Sequence, residues 1–167
     1  GKFGAVKVTN INIKKGSIYG LVGKNGAGKT TLLRMIAGQT MITSGEIQLF
    51  SETTEKGLEI SRKRIGAMIE TPSFFPYLTA EENLEYYRVQ RGIAGSECIK
   101  QLLKDVGLED TKKKKFKSFS LGMKQRLGLA LAMMNNPDFL VLDEPINGLD
   151  PMGIVEIRNL LLKLNEE

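Results

Sequence analysis

A glycine-rich loop between two apolar segments constrains the fold of this chain more than any other feature of its sequence. Residues 23–30 read Gly-Lys-Asn-Gly-Ala-Gly-Lys-Thr and match the pattern G-x-x-x-x-G-K-[ST]. The apolar run Ser17–Val22 predicts a buried parallel strand before the loop, and Lys29–Ala37 predicts a helix after it. A plain glycine-rich turn between strand and helix is the alternative, but this context favours a phosphate-binding loop.

The residue types of the loop account for its predicted chemistry. Glycines let consecutive backbone N–H groups turn toward an anion, and the helix N-terminus adds the positive end of its dipole. The Lys29 ammonium would reach the β- and γ-phosphates as a catalytic group, and the Thr30 hydroxyl would ligate Mg²⁺. The predicted nucleotide-binding residues are Gly23, Lys24, Asn25, Gly26, Ala27, Gly28, Lys29, Thr30 and Thr31.

Two acidic residues follow a second apolar segment. Phe139–Leu142 predicts a buried strand, and Asp143 and Glu144 come directly after it. The carboxyl ends of parallel strands lie beside the ligand crevice of α/β sheets. Asp143 would therefore reach the Mg²⁺ held by Thr30, and Glu144 would polarise an attacking water. The alternative is that these are two solvated acids leading into a turn. The presence of a phosphate-binding loop in the same chain favours the catalytic interpretation.

The rest of the chain predicts a helical region inserted into an α/β core. Loose alternation at Val6, Val8, Ile11 and Ile13, together with 46–50 and 64–69, predicts further strands. A capping box at Thr79–Glu82 opens a helix to about Arg91, Ser96 is expected to cap the next, and a third spans 122–134. Asp150 and Pro151 begin a last helix with Ile154, Ile157, Leu161 and Leu164 facing inward. The predicted division is a core of residues 1–70 and 137–167, with a helical subdomain at 71–136.

Composition excludes several classes of protein. The chain has 167 residues, 41% hydrophobic and 26% charged, which suits one globular domain. Its longest apolar stretch, Leu127–Met134, is less than half of the roughly 20 residues that cross a bilayer. The sequence has no histidine and a single cysteine, Cys98, which excludes an internal disulfide and fits a reducing compartment. The net charge of +5 favours anionic ligands without choosing among them.

Further motifs resemble those of ATP-binding cassette (ABC) ATPases. Phe119–Met123 lies where that family has the signature L-S-G-G-Q, and Asn147–Asp150 resembles its D-loop. The stretch Ile65–Leu84 resembles the ATP-binding subunits of bacitracin-resistance and lantibiotic-immunity transporters. The resemblance implies a P-loop NTPase core with a mainly parallel sheet, an antiparallel edge subdomain and an inserted helical subdomain. It also implies ATP and Mg²⁺ as cofactors.

The resemblance assigns roles to residues outside the two first motifs. The signature residues Ser120, Leu121, Gly122 and Met123 would contact ATP bound to a second nucleotide-binding subunit in a head-to-tail dimer. Leu121 and Met123 depart from the family pattern, which leaves Ser120 and Gly122 as the hydrogen-bond donors to phosphate. Ser120 is equally suited to cap its helix, as is Asp150, whose other implied role is at the dimer interface. Glu70 stands at the Q-loop position, where most of the family has Gln, and would add a carboxylate ligand for Mg²⁺.

The implied partners are the transmembrane permease subunits of a transporter. Phe74, Phe75 and Tyr77 lie where the family contacts these subunits, and packing of the insert against the core is the alternative. The expected location is the cytoplasmic face of a bacterial membrane, reached through the permease. No nucleic-acid partner is expected.

The resemblance also leads us to expect that the chain is part of a longer subunit. The adenine-stacking aromatic of the family would precede Gly1, with Phe3 as the nearest substitute, and no initiator Met is present. In the family, another core strand, ending in a switch His, follows the helix that ends near Leu164. We therefore expect the 167-residue chain alone to hydrolyse ATP poorly. Comparing its ATP turnover with that of a version extended past Glu167 would test this.

Three functions follow from these features. The first is an ATP-hydrolysing subunit that powers export of, or immunity to, an antimicrobial peptide. The second is a soluble ABC-type ATPase acting on ribosomes or DNA, which the lysine run Lys112–Lys115 would suit, although such runs are more often solvated surface. The third is a non-hydrolysing nucleotide-binding fragment, against which Glu144 argues for the parent protein.

Overall fold

The described residues form six α-helices and two short strands. A computed structural model describes residue 6, residues 9–70 and residues 73–166. The first half holds α1 (Lys29–Ile36), α2 (Glu55–Arg62), β1 (Ile65–Met68) and α3 (Ala80–Gln90). The second half holds α4 (Glu97–Asp105), 3₁₀ turns at Glu109–Thr111 and Phe116–Ser118, α5 (Leu121–Met133), β2 (Phe139–Leu142) and α6 (Pro151–Glu166). Within the described residues no helix has the length and apolarity needed to cross a membrane.

The two strands pair in parallel, as expected for an α/β core. The register joins Ile65 to Phe139 and Met68 to Leu142, so both strands end at the same sheet edge. Gly66 of β1 lies against the carboxyl end of α5, where a Cβ would collide with the carbonyl oxygen of Ala132. The strands predicted at 64–69 and 139–142 are therefore confirmed, and the α/β fold class with them.

The helices surround α5, whose residues from Leu127 to Met133 are all buried. An apolar pattern this continuous predicts a helix enclosed on every side, and α3, α4 and β1 pack around it. The core reaches from the helical region into α6, since Ile157 belongs to the same cluster. Its largest fully buried apolar side chains are Leu84, Ile99, Val106, Leu127, Leu129 and Ile157. The division into an α/β core and a helical subdomain stays a prediction.

The helix starts agree with those predicted from the sequence, except that one predicted cap makes no hydrogen bond. One residue predicted to face the core is also exposed. The Thr79 hydroxyl accepts from the Glu82 backbone N–H, and the Glu82 carboxylate accepts from the Thr79 N–H, which completes the capping box. Ser96 precedes α4, but its hydroxyl makes no capping hydrogen bond. Ile154 was expected to face inward and is instead exposed, because α6 turns mainly Gly153 and Ile157 toward the core.

The predicted strand before the phosphate-binding loop is wrong. Ser17–Val22 forms no strand, and Val22 is 95% exposed. A strand needs neighbouring backbone partners, and β1 and β2 pair only with each other among the described residues. Val6, Ile11 and Ile13 also lie outside any strand, while Val8 falls outside the described residues. Residues 46–50 contribute a single antiparallel bridge, Leu49 to Glu52, and α2 follows without having been predicted.

Candidate functional site

Left-handed glycines shape the phosphate-binding loop. Gly26 and Gly28 have φ of 79° and 89°, a region that other residues rarely adopt. The Ala27 backbone N–H donates to the carbonyl oxygen of Lys24 at 3.1 Å, which closes the turn. Gly28 is the N-cap of α1, so the helix begins directly at Lys29. Residues 23–27 are exposed, and Thr31 lies half-buried on α1.

The Lys29 side chain forms hydrogen bonds with the backbone of the phosphate-binding loop. Its Nζ donates to the carbonyl oxygens of Gly23 at 2.7 Å and Lys24 at 3.1 Å. These bonds keep the ammonium against the backbone of the loop, where a phosphate oxygen would be a stronger, charged acceptor.

Thr30 and Asp143 meet although 113 positions separate them in sequence. The Thr30 hydroxyl donates to Oδ2 of Asp143 at 2.6 Å, and the bond is partly buried. The Asp143 backbone N–H donates to the carbonyl oxygen of Met68 at 2.8 Å, so the sheet fixes this residue at the end of β2. The structure thus brings together the hydroxyl and the carboxylate that the sequence assigned to one metal ion.

These donors fit Mg²⁺ by their chemistry. Mg²⁺ prefers oxygen ligands and is usually held by one or two carboxylates together with substrate phosphates and water. The described residues include no group of three or more His, Cys, Asp or Glu side chains able to hold a metal ion. The Thr30 hydroxyl and the Asp143 carboxylate are the oxygen donors that the described residues bring together here.

Glu144 follows Asp143 in a strained backbone conformation. Its φ of 46° lies in the left-handed region, which costs a non-glycine residue about 1–2 kcal/mol. The Asn147 side-chain amide donates to Oε2 of Glu144 at 2.9 Å, and both residues are exposed. Sequence reasoning placed Asn147 only in the D-loop motif and missed this contact, for which the sequence holds no distinctive signal.

The backbone of Glu70, at the Q-loop position, also lies in the left-handed region, with φ of 65°. Its carboxylate forms an ion pair with the guanidinium of Arg34 on α1. Sequence reasoning missed Arg34. The available signal was its spacing of four residues from Thr30, which places both side chains on one helix face.

The signature residues lie at the start of α5 and against the D-loop. Ser120 is the N-cap, with Oγ accepting from the Met123 backbone N–H at 3.3 Å. A Cβ on Gly122 would approach Leu149 to 3.2 Å, while Leu121 is exposed and lies against Gly148. Among the described residues, no hydrogen bond joins this segment to the phosphate-binding loop. The arrangement leaves Ser120 and Leu121 facing solvent.

Of the other residues predicted to contact a partner, some make contacts within the fold and others are exposed. Asp150 caps α6, since its Oδ1 accepts from the Gly153 backbone N–H at 3.0 Å. Phe74 is buried between Tyr87 and Phe116, whereas Phe75 and Tyr77 are exposed. Phe3 lies outside the described residues.

Comparison with known proteins identifies the family. The family model described as ABC transporter matches residues 6–147. The bacitracin transport ATP-binding protein BcrA of Enterococcus faecalis is 45% identical over 167 residues, which are 100% of this chain and 54% of BcrA. The lantibiotic transport ATP-binding protein SrtF of Streptococcus pyogenes is 42% identical over 100% of this chain and 71% of its own length.

A solved structure agrees with this assignment. The dimeric, post-hydrolysis ATP-binding cassette MJ0796, bound to ADP and Pi, superposes with a TM-score of 0.84 at 30% identity. The match covers 97% of this chain and 75% of that cassette. The chain spans about half the length of BcrA, at 54%. The sequence and the fold together show that this chain belongs to the ABC transporter family of ATP-binding proteins.

Proposed function

We propose that the chain is part of a subunit that binds and hydrolyses ATP to power a transporter. The observation that carries this proposal is the hydrogen bond between Thr30 and Asp143, at 2.6 Å. It connects the start of the loop helix to the end of β2, which is the geometry required for one ion to join both motifs to a nucleotide.

Each motif has a defined part in the proposed reaction. The backbone N–H groups of residues 23–30 bind the phosphates, and Lys29 exchanges its carbonyl partners for phosphate oxygens. Thr30 and Asp143 would hold Mg²⁺, which would supply positive charge against the negative charge that develops during phosphoryl transfer. Glu144 accepts a proton from the attacking water, and Asn147 positions its carboxylate through the 2.9 Å bond.

The proposed working form is a head-to-tail dimer. Ser120 accepts one backbone hydrogen bond, so its hydroxyl proton is free to donate to a phosphate oxygen of the opposite subunit. The exposed start of α5 adds the positive end of a helix dipole. The dimer of the MJ0796 cassette supports this arrangement.

The proposed partners are permease subunits, which place the protein at the cytoplasmic face of a bacterial membrane. Tyr77 is 70% exposed and Phe75 packs edge-on against Tyr86, which leaves an aromatic surface beside α3 for docking. The names of BcrA and SrtF refer to bacitracin and lantibiotic transport. Their similarity supports an antimicrobial peptide as the transported substrate.

Calorimetric titration with Mg-ATP tests nucleotide binding. Lys29→Ala is expected to weaken binding at least about tenfold, because the ammonium forms charge-assisted bonds with the phosphates. Lys24→Ala is the matched control, since it removes a lysine of the same loop whose backbone alone is assigned to the nucleotide. Equal binding by all three proteins would contradict the proposal.

Affinity capture tests the partner. The protein is expected to co-purify with a membrane subunit from detergent-solubilised membranes. Recovery with ribosomes or DNA instead would favour a soluble ABC-type ATPase.

A further inference from the structure

The two strands carry one acidic residue each to the same edge of the sheet. Because β1 and β2 are parallel and in register, Glu70 and Asp143 follow them on the same side. Helix α1 lies across this edge and contacts both residues. Thr30 donates to Asp143, and Arg34, one turn later on the same helix face, pairs with Glu70.

If the proposed function holds, Glu70 has two candidate cationic partners. One is the Arg34 guanidinium, which it contacts in the structure. The other is the Mg²⁺ that Thr30 and Asp143 are proposed to hold nearby. A carboxylate beside a triphosphate repels it unless a cation neutralises the charge.

The Arg34–Glu70 pair is suited to exchange. The side chains are 36% and 68% exposed, so water competes for both partners and the pair is weak. An ion pair with these properties holds a carboxylate without trapping it.

We propose that Arg34 is a positioning residue that competes with Mg²⁺ for the carboxylate of Glu70. This inference rests on the proposed nucleotide site and deepens it. Before nucleotide binds, Glu70 stays on Arg34 and its charge is neutralised. When Mg-nucleotide occupies the loop, Glu70 leaves Arg34 and becomes a ligand of the ion.

The test is the free Mg²⁺ concentration that gives half of the maximal increase in affinity for a fluorescent ATP analogue. It requires the protein at its natural length, as wild type, Arg34→Ala, Glu70→Gln and the double variant. Arg34→Ala removes the competitor, so the half-maximal Mg²⁺ concentration is expected to fall about two- to fivefold, the range for exposed ion pairs. In the Glu70→Gln background the same arginine substitution is expected to change nothing.

Arg64→Ala is a matched control from the other end of the same strands. Arg64 and Asp138 precede β1 and β2 and form an exposed ion pair at 2.8 Å. Its loss is expected to leave the Mg²⁺ dependence unchanged. Arg34→Gln, which keeps more of the side-chain stem, serves as a second variant if thermal melting shows that Arg34→Ala is poorly folded.

Each result separates this inference from the function on which it rests. An unchanged or higher Mg²⁺ requirement in both Arg34 variants overturns the competition. So does an equal fall in the Glu70→Gln background or in Arg64→Ala. If wild-type protein binds nucleotide no better than Lys29→Ala, the proposed function fails and the competition fails with it.

Discussion

At the scale of single residues, Asn83 fixes the segment that precedes α3. Its side chain is fully buried and makes three hydrogen bonds to backbone. Oδ1 accepts from the Phe75 N–H at 2.8 Å, and Nδ2 donates to the carbonyl oxygens of Phe75 at 3.2 Å and Thr79 at 2.9 Å. The exposed Tyr77 lies within the segment that these bonds hold, so one amide shapes the proposed docking surface.

Asn83→Ala is expected to lower the free energy of unfolding by about 1–3 kcal/mol. The substitution empties a buried site and leaves the Phe75 N–H without its partner, and an unsatisfied donor carries that cost. The carbonyl oxygens of Phe75 and Thr79 keep the backbone N–H groups of Leu78 and Asn83. Chemical denaturation monitored by circular dichroism measures the change. Glu81→Ala, at an exposed position of the same helix, is the control. Equal stability of the two variants would contradict a structural role for the amide.

Residue contacts were predictable where chemistry demanded them and otherwise were not. The proximity of Thr30 and Asp143 followed from one shared ion, although 113 positions separate them. Asn83 belongs to no motif, and the hydrogen-bond partners of Asn83, Asn147 and Arg34 depend on how backbone segments pack. Their contacts emerge only from the folded chain.

At the scale of elements, α3 begins with a capping box reinforced from another segment. The Glu82 carboxylate accepts from the Thr79 N–H at 2.6 Å and from Lys115 Nζ at 3.1 Å. The hydrogen bond from the Thr79 backbone, followed by that from Lys115, lowers the pKa of Glu82 below its usual value of 4.5. The cap thus also fastens the Lys115 segment to α3.

The lowered pKa predicts a stability that depends on pH. Glu82 binds a proton less readily in the folded state, so its contribution is complete above about pH 4.5 and is lost as the pH falls through the folded-state pKa. Glu82→Gln is expected to melt at a lower temperature than wild type at pH 7, with the difference narrowing toward pH 3. Thermal melts across this range measure it. A constant difference would argue against a charge effect.

Helices were predicted better than strands because their bonds are local. The starts of α3, α5 and α6 follow from the N-caps Thr79, Ser120 and Asp150, whose hydrogen bonds reach only three residues along the chain. Ser17–Val22 has the composition of a buried strand, yet a strand also needs a neighbour from a distant part of the chain. The short α2 was missed because its sequence is mostly polar, and Leu58 and Ile60 are too few apolar residues to establish a helical repeat.

At the scale of the whole molecule, Arg126 connects three helices. From α5 its guanidinium donates to the Val106 carbonyl oxygen after α4, at 3.0 Å, and pairs with Glu156 of α6. The signature segment at the start of α5 and the D-loop before α6 also lie against each other through Gly122 and Leu149. These contacts hold together the two segments assigned to the dimer interface.

The proposed dimer can be tested by blocking hydrolysis. Glu144→Gln removes the proton acceptor and is expected to double the mass of the protein when Mg-ATP is added, as light scattering would show. Adding Ser120→Glu is expected to abolish this dimer, because a carboxylate at the start of α5 repels the opposing triphosphate. Ser118→Glu is the control at a nearby exposed position. A dimer that persists with Ser120→Glu, or forms without ATP, would contradict a nucleotide sandwich.

At Glu70 and Glu144, selection for stability and selection for function act in opposite directions, because both residues have a left-handed backbone. Glycine at either position would relieve a conformational cost of about 1–2 kcal/mol per residue. It would also delete a carboxylate assigned to metal binding or to proton transfer. Directed evolution guided by thermal tolerance alone would therefore tend to erase these two acids, whereas a screen that also demands ATP turnover would retain them and improve the protein elsewhere.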